Sequence, residues 1–420
     1  FAGEVGVRSV LIRRSGFFTR VFVVVGMSEN VPEDRCGHAT LDTNFPQIAG
    51  VCCYRPVWKG KSRCIWHAES DDKSPVTLRQ SRSDFPERFD DAHLQGVNLH
   101  AEIDFSGCEF NRGNFSNSHM RACDFSKATF RYTDCSGANF SEADFTKSNL
   151  VEVNFSTGIL RLTDFSGANI SLVNFENAEM TSSTISDTYI RNPLFSNANM
   201  RLMTLNNVEF RNLELREQNL AEIDFSNSQI NNSTFTKCRI IDADFSETEM
   251  RNARFDEGEI RNTDFTKANL LGSDFVGVES KLTDFEDSNL LKLNLKNSVF
   301  MSADFTDANA QGATLDNSNL EDATFIRTEL RDASLKNTRL YQTLFSDVRI
   351  NSNTDFGEES AYEDPDTELG ENYDDTTRFE AAAWVYRRLQ DLHEENAMSE
   401  QAREYHVRKE EAHRSNYWAK

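Results

Sequence analysis

The sequence predicts a mainly β protein built as a solenoid, and a regular apolar repeat is the main evidence. Every fifth residue from Phe105 to Ile350 is Phe, Leu, Ile or Met at 47 of 50 positions, and the exceptions are Cys135, Ser280 and Ala310. The residue two positions earlier is usually small, most often Ala, Ser or Thr. Internal repeats of this kind indicate a chain in which each unit stacks on its neighbours.

A period of five excludes both regular backbone forms. In an α-helix, five residues advance the side chain by about 500°, so the large residues would be spread around the helix. In a flat strand, an odd period would send successive large residues to opposite faces. The chain must therefore turn by a fixed angle every five residues, so that the large and the small residue of each repeat both point inward.

A second period of ten predicts the number of faces. Phe occupies 18 of the 25 positions whose number ends in 5, whereas Leu, Ile and Met prevail at positions whose number ends in 0. An even number of faces keeps each residue type in its own column of the stack. Four faces, with one repeat on each face of every turn, satisfy this requirement.

This pattern resembles the pentapeptide-repeat family, whose motif is A-(D/N)-L-x-x. Residues 163–170, with the sequence TDFSGANI, match the motif directly, and the resemblance covers about 250 residues. It implies a right-handed quadrilateral parallel β-helix. The small Cys/His module before it and the α-helical hairpin after it are similar to those of pentapeptide-repeat proteins of salt-adapted archaea. Four repeats per turn give about 12 turns, and a spacing of ~4.8 Å per turn predicts a rod of roughly 60 Å.

The repeat is expected to begin before Phe105 and to contain a few irregular positions. Phe89, Leu94 and Leu99 continue the pattern but are offset by one residue, which predicts a bulge within residues 100–104. We therefore assign residues 85–350 to the β-helix. Pro193 is expected to remove one hydrogen-bond donor from the ladder.

The region before the repeat is expected to have two parts. Residues 1–26 contain an apolar run, Phe17–Val25, that Arg20 interrupts, and no small-residue cleavage site of a signal peptide follows it. We therefore expect residues 1–26 to be a non-native or disordered extension. Residues 27–84 are expected to form the small Cys/His module.

A zinc site is predicted within this module. Candidate ligands lie within 32 residues, at Cys36, His38, Cys52, Cys53, Cys64 and His67. Zinc takes four thiolate or imidazole ligands in a tetrahedron, and C-x-x-H can supply two of them. The preferred ligand set is Cys36, Cys53, Cys64 and His67, with Cys52 and His38 as alternates. The competing interpretation is a set of reduced thiols in a poorly ordered segment.

The repeat itself offers no evident catalytic site. His119 is the only histidine between residues 105 and 350, so nucleophile–base pairs lack an obvious base. The aspartates recur at one repeat position, where hydrogen bonding in turns explains them. Cys108, Cys123 and Cys238 occupy the small inward position and are expected to fill the core. We therefore expect a protein that is not an enzyme.

The C-terminal region is expected to be a linker followed by two helices. Residues 351–375 contain ten acidic residues and no basic residue, which predicts a flexible acidic linker. Residues 376–420 predict a helical hairpin that begins with a capping box at Thr377 and Glu380. It is similar to a single tetratricopeptide-type unit and needs a partner surface. Similar hairpins in pentapeptide-repeat proteins of salt-adapted archaea precede membrane helices of ion-channel-like proteins.

Charge limits the functional classes. The net charge is −23, which disfavours direct binding to nucleic acid or anionic membranes. High acidity is typical of halophilic proteins, and the sparse cysteines favour a reducing, cytoplasmic compartment. The prediction is a non-catalytic binding or scaffold protein with a protein partner or self-association. One alternative is the soluble part of a membrane channel or sensor, membrane-tethered through sequence beyond Lys420. The other is a DNA mimic that modulates DNA gyrase.

The charge density of the repeat provides a test of the gyrase alternative. Residues 101–350 carry a net charge of about −14, whereas ~60 Å of duplex DNA carries roughly 35 negative charges. We expect no inhibition of DNA supercoiling by gyrase at micromolar concentrations of this protein, measured by gel electrophoresis. Inhibition at that level would favour the DNA mimic instead.

Overall fold

The protein is described by a computed structural model, in which two compact units are distinguished, Phe1–Asn199 and Met200–Lys420. The described residues are 7–14, 17–24, 31–38, 53, 55–70, 72–83, 85–100, 103–364, 367, 369 and 373–419.

The first unit combines a hairpin, a short helix and five short strands. Its elements are β1 (Val7–Arg14), β2 (Phe17–Val24), α1 (Pro75–Gln80), β3 (Glu109–Asn111), β4 (Thr129–Arg131), β5 (Asn149–Val151), β6 (Asn169–Ser171) and β7 (Tyr189–Arg191). Strands β1 and β2 pair antiparallel. The prediction for residues 1–26 included neither strand. The boundaries proposed for the N-terminal module remain a prediction.

The second unit contains short strands followed by two long helices. Its elements are β8 (Glu209–Arg211), β9 (Glu214–Arg216), β10 (Thr234–Thr236), β11 (Arg239–Ile241), β12 (Glu259–Arg261), β13 (Glu279–Lys281), β14 (Val299–Met301), β15 (Thr324–Ile326), β16 (Leu344–Ser346), α2 (Asp375–Glu395) and α3 (Ser399–Ala419). No helix in the described part of the chain is long and apolar enough to cross a membrane.

Parallel pairing of each repeat with the fourth repeat after it defines the solenoid turn. In the first unit, β3 to β7 pair consecutively, and Phe110 lies opposite Phe130. The other three faces are joined by single bridges with the same spacing, for example Asp104 with Asp124 and Asn114 with Asp134. The fold is therefore a parallel β-solenoid with four faces per turn, as the sequence predicted.

The large residue of each repeat points inward and stacks on its equivalent in the next turn. All fifty positions from Phe105 to Ile350 are buried except Phe345, which is half-buried. In the first unit, the ring centroids of Phe105, Phe125 and Phe145 are separated by 5.1 and 4.9 Å, with nearly parallel planes. Stacked aromatic pairs stabilise beyond the apolar area that they bury. The inward assignment of the repeat is confirmed.

A left-handed residue produces the turn in nearly every repeat. Lys127, for example, has φ +58°, and the amide of Ala128 donates to the carbonyl of Phe125 at 3.0 Å. The polar residue before each large residue supports this geometry. The Asp144 carboxylate accepts from the amide of Thr146 at 2.7 Å. This contact explains why Asp and Asn recur at that position.

Hydroxyl and thiol groups at the small inward position are accommodated in the core. Thr133 donates to the carbonyl of Phe110 in the preceding turn at 2.9 Å, and Ser228 does the same to Leu205 at 2.7 Å. The repeat cysteines are all buried. Burial raises the pKa of Cys108 to about 11, so this thiol is a core filler and a poor nucleophile.

The register changes by one residue before Phe105, as predicted. Arg88 bridges Glu109, 21 residues further along the chain, whereas Asp104 bridges Asp124, 20 residues further along. Pro193 does not remove a hydrogen bond from the ladder, contrary to the prediction. Val173, one turn earlier in the same column, donates no backbone hydrogen bond among the described residues. A proline at this position therefore removes a donor that the fold does not use.

The segment after Ile350 differs from the solvated linker that its acidity predicted. Asp355 bridges Ser334 and so continues the solenoid with one extra residue. Tyr362 is fully buried, and its hydroxyl donates to the buried carboxylate of Glu321 at 2.6 Å. Residues 351–364 are therefore packed on the last turn, because their few apolar and aromatic side chains outweigh the solvation of the acidic ones.

The two helices form the predicted hairpin, but α2 begins earlier than expected. Its N-cap is Asp374, which forms a capping box with Thr377, so the predicted box of Thr377 with Glu380 is wrong. The apolar stripe of α2 is buried, including Val385, Tyr386, Leu389 and Leu392. Asn396, in the turn between the helices, binds the last solenoid turn through Val348 and Ile350.

The inward columns generate the first structural prediction. Phe225 is fully buried and stacks on Phe245 at 5.1 Å, whereas Asn232 is an exposed turn residue. Phe225→Asp should lower the free energy of unfolding by at least about 4 kcal/mol, because it removes a buried ring and buries a charge. Asn232→Asp keeps the side-chain oxygen that Asn252 contacts and should cost little. Equal denaturation midpoints for the two variants would refute the inward assignment.

The hairpin contact generates a second prediction. The amide of Ile350 donates to the Asn396 side chain at 3.1 Å. Asn396→Ala should accelerate hydrogen exchange of the Ile350 amide by roughly fivefold, because a hydrogen bond of about 1 kcal/mol is lost. Asp391→Ala, at an exposed position of α2, is the control and should leave this exchange rate unchanged. Equal rates in both variants would show that the hairpin does not protect the last turn.

Candidate metal centre

Two backbone contacts place the first two candidate ligands side by side. Arg35 and Pro56 form an antiparallel bridge. Beyond this bridge, the amide of Gly37 donates to the carbonyl of Cys53 at 2.9 Å, and the amide of Cys53 donates to the carbonyl of His38 at 2.7 Å. Gly37 has φ +59°, a conformation that favours glycine. The two chain segments thereby hold Cys36 and Cys53 next to each other.

A tight turn places the other two ligands. The amides of His67 and Ala68 both donate to the carbonyl of Cys64, at 3.1 and 2.9 Å. This turn brings Nδ1 of His67 to 3.3 Å from Sγ of Cys64. The C-x-x-H spacing therefore brings these two candidate ligand atoms close together.

The four ligand atoms have the spacing of a tetrahedral zinc site. Cys36, Cys53, Cys64 and His67 present atoms that all lie within 4.8 Å of one another, so they could hold a metal ion. The sulfurs of Cys53 and Cys64 are 3.7 Å apart, and Nδ1 of His67 is 3.4 Å from the sulfur of Cys36. Zinc–ligand bonds of about 2.3 Å to sulfur and 2.0 Å to nitrogen imply separations of roughly 3.8 and 3.5 Å.

Of the two alternate ligands, only His38 lies among the described residues. His38 stacks on the His67 ring at 4.3 Å, and its Nε2 lies 3.0 Å from the carboxylate of Asp91. Arg112 also contacts that carboxylate, with two bonds of 2.9 Å. His38 is thus a neighbour of the site and not part of the Cys3His group. Cys52 lies outside the described residues.

The histidine ligand is oriented by the first turn of the solenoid. Its Nε2 lies 2.8 Å from the backbone carbonyl of Asp90. The carbonyl can only accept, so Nε2 carries a proton, and the neutral ring that binds a metal would direct the lone pair of Nδ1 at the thiols. Metal-bound histidines commonly donate their second nitrogen in this way. No sequence pattern indicated Asp90, because a backbone carbonyl partner depends on the fold and not on the residue type.

The thiol pKa values of the site shift in different directions, downward for Cys36 and Cys53 and upward for Cys64. Burial acts to lower the pKa of His67, but hydrogen bonds to Cys36 and Cys53 outweigh it and raise that pKa to about 9. Hydrogen bonds from Cys53 and Cys64 lower the pKa of Cys36 well below its usual range. Nη1 of Arg55 lies 3.9 Å from the sulfur of Cys53. Three thiolates and a divalent ion would carry one net negative charge, which Arg55 can offset.

The module packs directly on the first solenoid turn. Trp66, between the ligands Cys64 and His67, is fully buried, and its ring lies 4.3 Å from that of Phe89. The amide of His93 donates to the carbonyl of Trp66 at 2.7 Å. Trp66 thus covers the first rung of the inward column. A site with four protein ligands has no open position for substrate, which is typical of structural zinc sites.

Family models match most of the solenoid. A model described as "Pentapeptide repeats (9 copies)" matches residues 89–139, and one described as "Pentapeptide repeats (8 copies)" matches residues 123–161, 159–192, 282–317 and 311–347. A third, "Pentapeptide repeat region", matches residues 219–285. Together they cover more than half of the chain. No curated protein matches the sequence.

Solved structures of similar proteins are short relative to this chain. HetL, a pentapeptide repeat protein involved in heterocyst differentiation regulation from the cyanobacterium Nostoc sp. strain PCC 7120, is 19% identical, with 58% of this chain and 90% of HetL covered and a TM-score of 0.21. Full-length QnrB1, a plasmid-mediated fluoroquinolone resistance protein, is 16% identical, with 45% and 94% covered and a TM-score of 0.20. Rfr23 from the cyanobacterium Cyanothece 51142 is 18% identical, with 34% and 90% covered and a TM-score of 0.18.

Scores this low carry no argument about overall shape, so the assignment rests on the family models and on the repeat geometry. The period of five, the inward columns and the four-repeat turn agree with those models over both units. This chain belongs to the pentapeptide-repeat family.

Proposed function

We propose that this protein is a non-catalytic scaffold that binds a protein partner on its solenoid, and that a structural zinc ion holds its N-terminal module. One wall of the first unit carries the proposal for binding. We call it the strand wall, and it comprises the outward side chains of β3 to β7 together with the two residues that follow each strand and Leu194.

The strand wall exposes large apolar side chains. Leu172 and Leu194 are 48% and 50% exposed, and Tyr132 is 41% exposed. Leu172 and Tyr132 also have φ +56°, a left-handed conformation that costs residues with a Cβ roughly 1 kcal/mol. Polar residues and glycine fill most equivalent turn positions of the chain. Exposed leucine at a strained position contributes little to stability, which favours a role in binding.

The strand wall also departs from the acidity of the whole chain. Its charged side chains are three arginines and two glutamates, namely Arg112, Arg131, Arg191, Glu109 and Glu152. Arg112 is paired with Asp91, whereas Arg131 and Arg191 form no salt bridge with any described residue. In a chain of net charge −23, a wall with more arginines than carboxylates favours a partner that presents carboxylates beside apolar side chains.

Binding is tested by changing this wall alone. The folded chain should retain a protein from a cell extract of the source organism, and the variant Leu172→Asp/Arg191→Glu should lose it, because both apolar contact and charge complementarity are removed. Lys147→Glu changes charge at an exposed turn of a neighbouring wall and should retain the partner. Raising the salt concentration should weaken retention by the unchanged chain. A partner that binds all three proteins equally would place the binding surface elsewhere.

The zinc proposal is supported by the spacing and chemistry of the four ligand atoms. Three sulfurs and one imidazole nitrogen form a donor set typical of structural zinc. Cys36 and Cys53 come from one pair of segments, and Cys64 and His67 from a second turn, so a bound ion would tie the two together. Because Trp66 belongs to the second turn, this link would also hold the module on Phe89.

Metal content provides a direct test of the ligand set. Native mass spectrometry of the full chain should detect one zinc ion, and Cys64→Ser should lose it because a tetrahedral site needs all four ligands. Cys52→Ser and His38→Gln should keep the ion, since both are only alternates to the proposed set. Loss of zinc in either control variant would change the assignment, and a metal-free chain with an ordered module would overturn it.

We do not propose the DNA mimic, because the net charge of about −14 over residues 101–350 is well under half that of duplex DNA of the same length. No contact among the described residues supports the membrane-linked alternative, so we do not propose it either. The strand wall has more arginines than carboxylates, which is the opposite of a phosphate-like surface.

A further inference from the structure

We propose that Cys53 is an oxidation site for hydroperoxides and that Cys64 resolves it by forming a disulfide, which releases the metal. This inference rests on the proposed zinc site. It assigns a chemical reaction to the ligand cluster that a purely structural site would not carry.

Exposure singles out Cys53. Of the seven cysteines among the described residues, six are buried and only Cys53 is partly exposed. Its fellow ligands Cys36 and Cys64 are 2% and 1% exposed. The repeat cysteines also have raised thiol pKa values where a shift is evident, as burial raises that of Cys238 to about 11. Among the described thiols, Cys53 is therefore the one that a dissolved peroxide can reach most readily.

One arginine lies beside the sulfur of Cys53. The Arg55 guanidinium lies 3.9 Å from its sulfur and is held in place by Glu87, at 2.6 Å. This fixed positive charge lies where the leaving hydroxide of a peroxide would develop its negative charge, which favours attack by the exposed sulfur. Arg63, the other arginine near the site, instead donates to the carbonyl of Cys36 at 2.7 Å. Arg55 is therefore the arginine that acts on the exposed sulfur.

The resolving thiol is already within reach. The sulfurs of Cys53 and Cys64 are 3.7 Å apart, so a bond of about 2.05 Å requires them to approach by less than 2 Å. The residues belong to different backbone segments, 53–57 and the 64–67 turn, so side-chain rotation can supply this movement.

The reaction balances in two steps. The Cys53 thiolate attacks one oxygen of hydrogen peroxide, the O–O bond breaks, hydroxide leaves and a sulfenic acid forms on Cys53. The Cys64 thiolate then attacks the Cys53 sulfur, a second hydroxide leaves and the disulfide forms. The two sulfurs lose two electrons in total, and the peroxide oxygens gain them. Only Cys36 and His67 would remain as ligands, which is too few to retain the ion.

The experiment treats the zinc-loaded full chain with hydrogen peroxide and follows two readouts. The first is peptide mass spectrometry, which should show a Cys53–Cys64 disulfide and a mass loss of about 2 Da. The second is zinc release to a chromogenic chelator, which should reach one ion per disulfide formed. A thiol reductant with added zinc should restore the starting mass and metal content.

Matched variants test the role of the arginine. Arg55→Gln should retain zinc but slow disulfide formation by roughly tenfold, whereas Arg63→Gln should react at the rate of the unchanged chain. Equal rates in both variants would overturn activation by Arg55.

Three other outcomes separate this inference from the zinc proposal. A disulfide through Cys36 or Cys52, or over-oxidation of Cys53 with Cys64 unmodified, would overturn the assigned pair even if zinc is bound. Absence of zinc before oxidation would overturn the proposed metal, and the peptide readout would still test the Cys53–Cys64 pair. Bound zinc that persists through peroxide treatment without a disulfide would show a purely structural site.

Discussion

A backbone register that pairs each repeat with the fourth repeat after it is the constraint on which the rest of this structure depends. Each turn is joined to the next through parallel bridges, and a left-handed residue in nearly every repeat keeps the four corners in place. This register aligns each large residue with its equivalent, so the aromatic columns stack and the small inward residues fill the space between them. A substitution that preserves the turn is therefore tolerated on the outside, whereas the inward columns hold apolar side chains and small side chains that fit between them.

A repeating structure of this kind must end without exposing its last hydrogen-bonding edge and its core column. In the first unit, the register shifts by one residue before Phe105, and Trp66 of the N-terminal module covers Phe89. In the second unit, the register shifts again before Asp355, and the following segment buries Tyr362 against Glu321. Each unit thus departs from the five-residue repeat at the end of its stack of turns that these residues cover.

The chemistry-bearing residues follow from this arrangement. Within the walls, Asp and Asn recur before the large residue and hydroxyls recur at the small inward position, where side chains such as Asp144 and Ser228 form turn or core hydrogen bonds. The N-terminal module does not follow the five-residue repeat, so its backbone can bring three thiols and an imidazole together. It remains dependent on the solenoid, because the carbonyl of Asp90 orients His67 and Glu87 holds Arg55. Metal binding, sulfur reactivity and attachment to the first turn are therefore coupled through a few contacts.

The sequence by itself determined the repeat, its inward columns, the four-faced turn and the one-residue offset before Phe105, because a period of five admits no other regular burial. It also indicated the preferred ligands, since C-x-x-H and two further cysteines lie within one short region. Only the tertiary structure decided that His38 bonds Asp91 beside the site, and that Pro193 occupies a column whose amides make no ladder bond. It also decided that residues 351–364 pack on the last turn despite their acidity. These outcomes depend on contacts between residues that are distant in the sequence, and local composition does not specify such contacts.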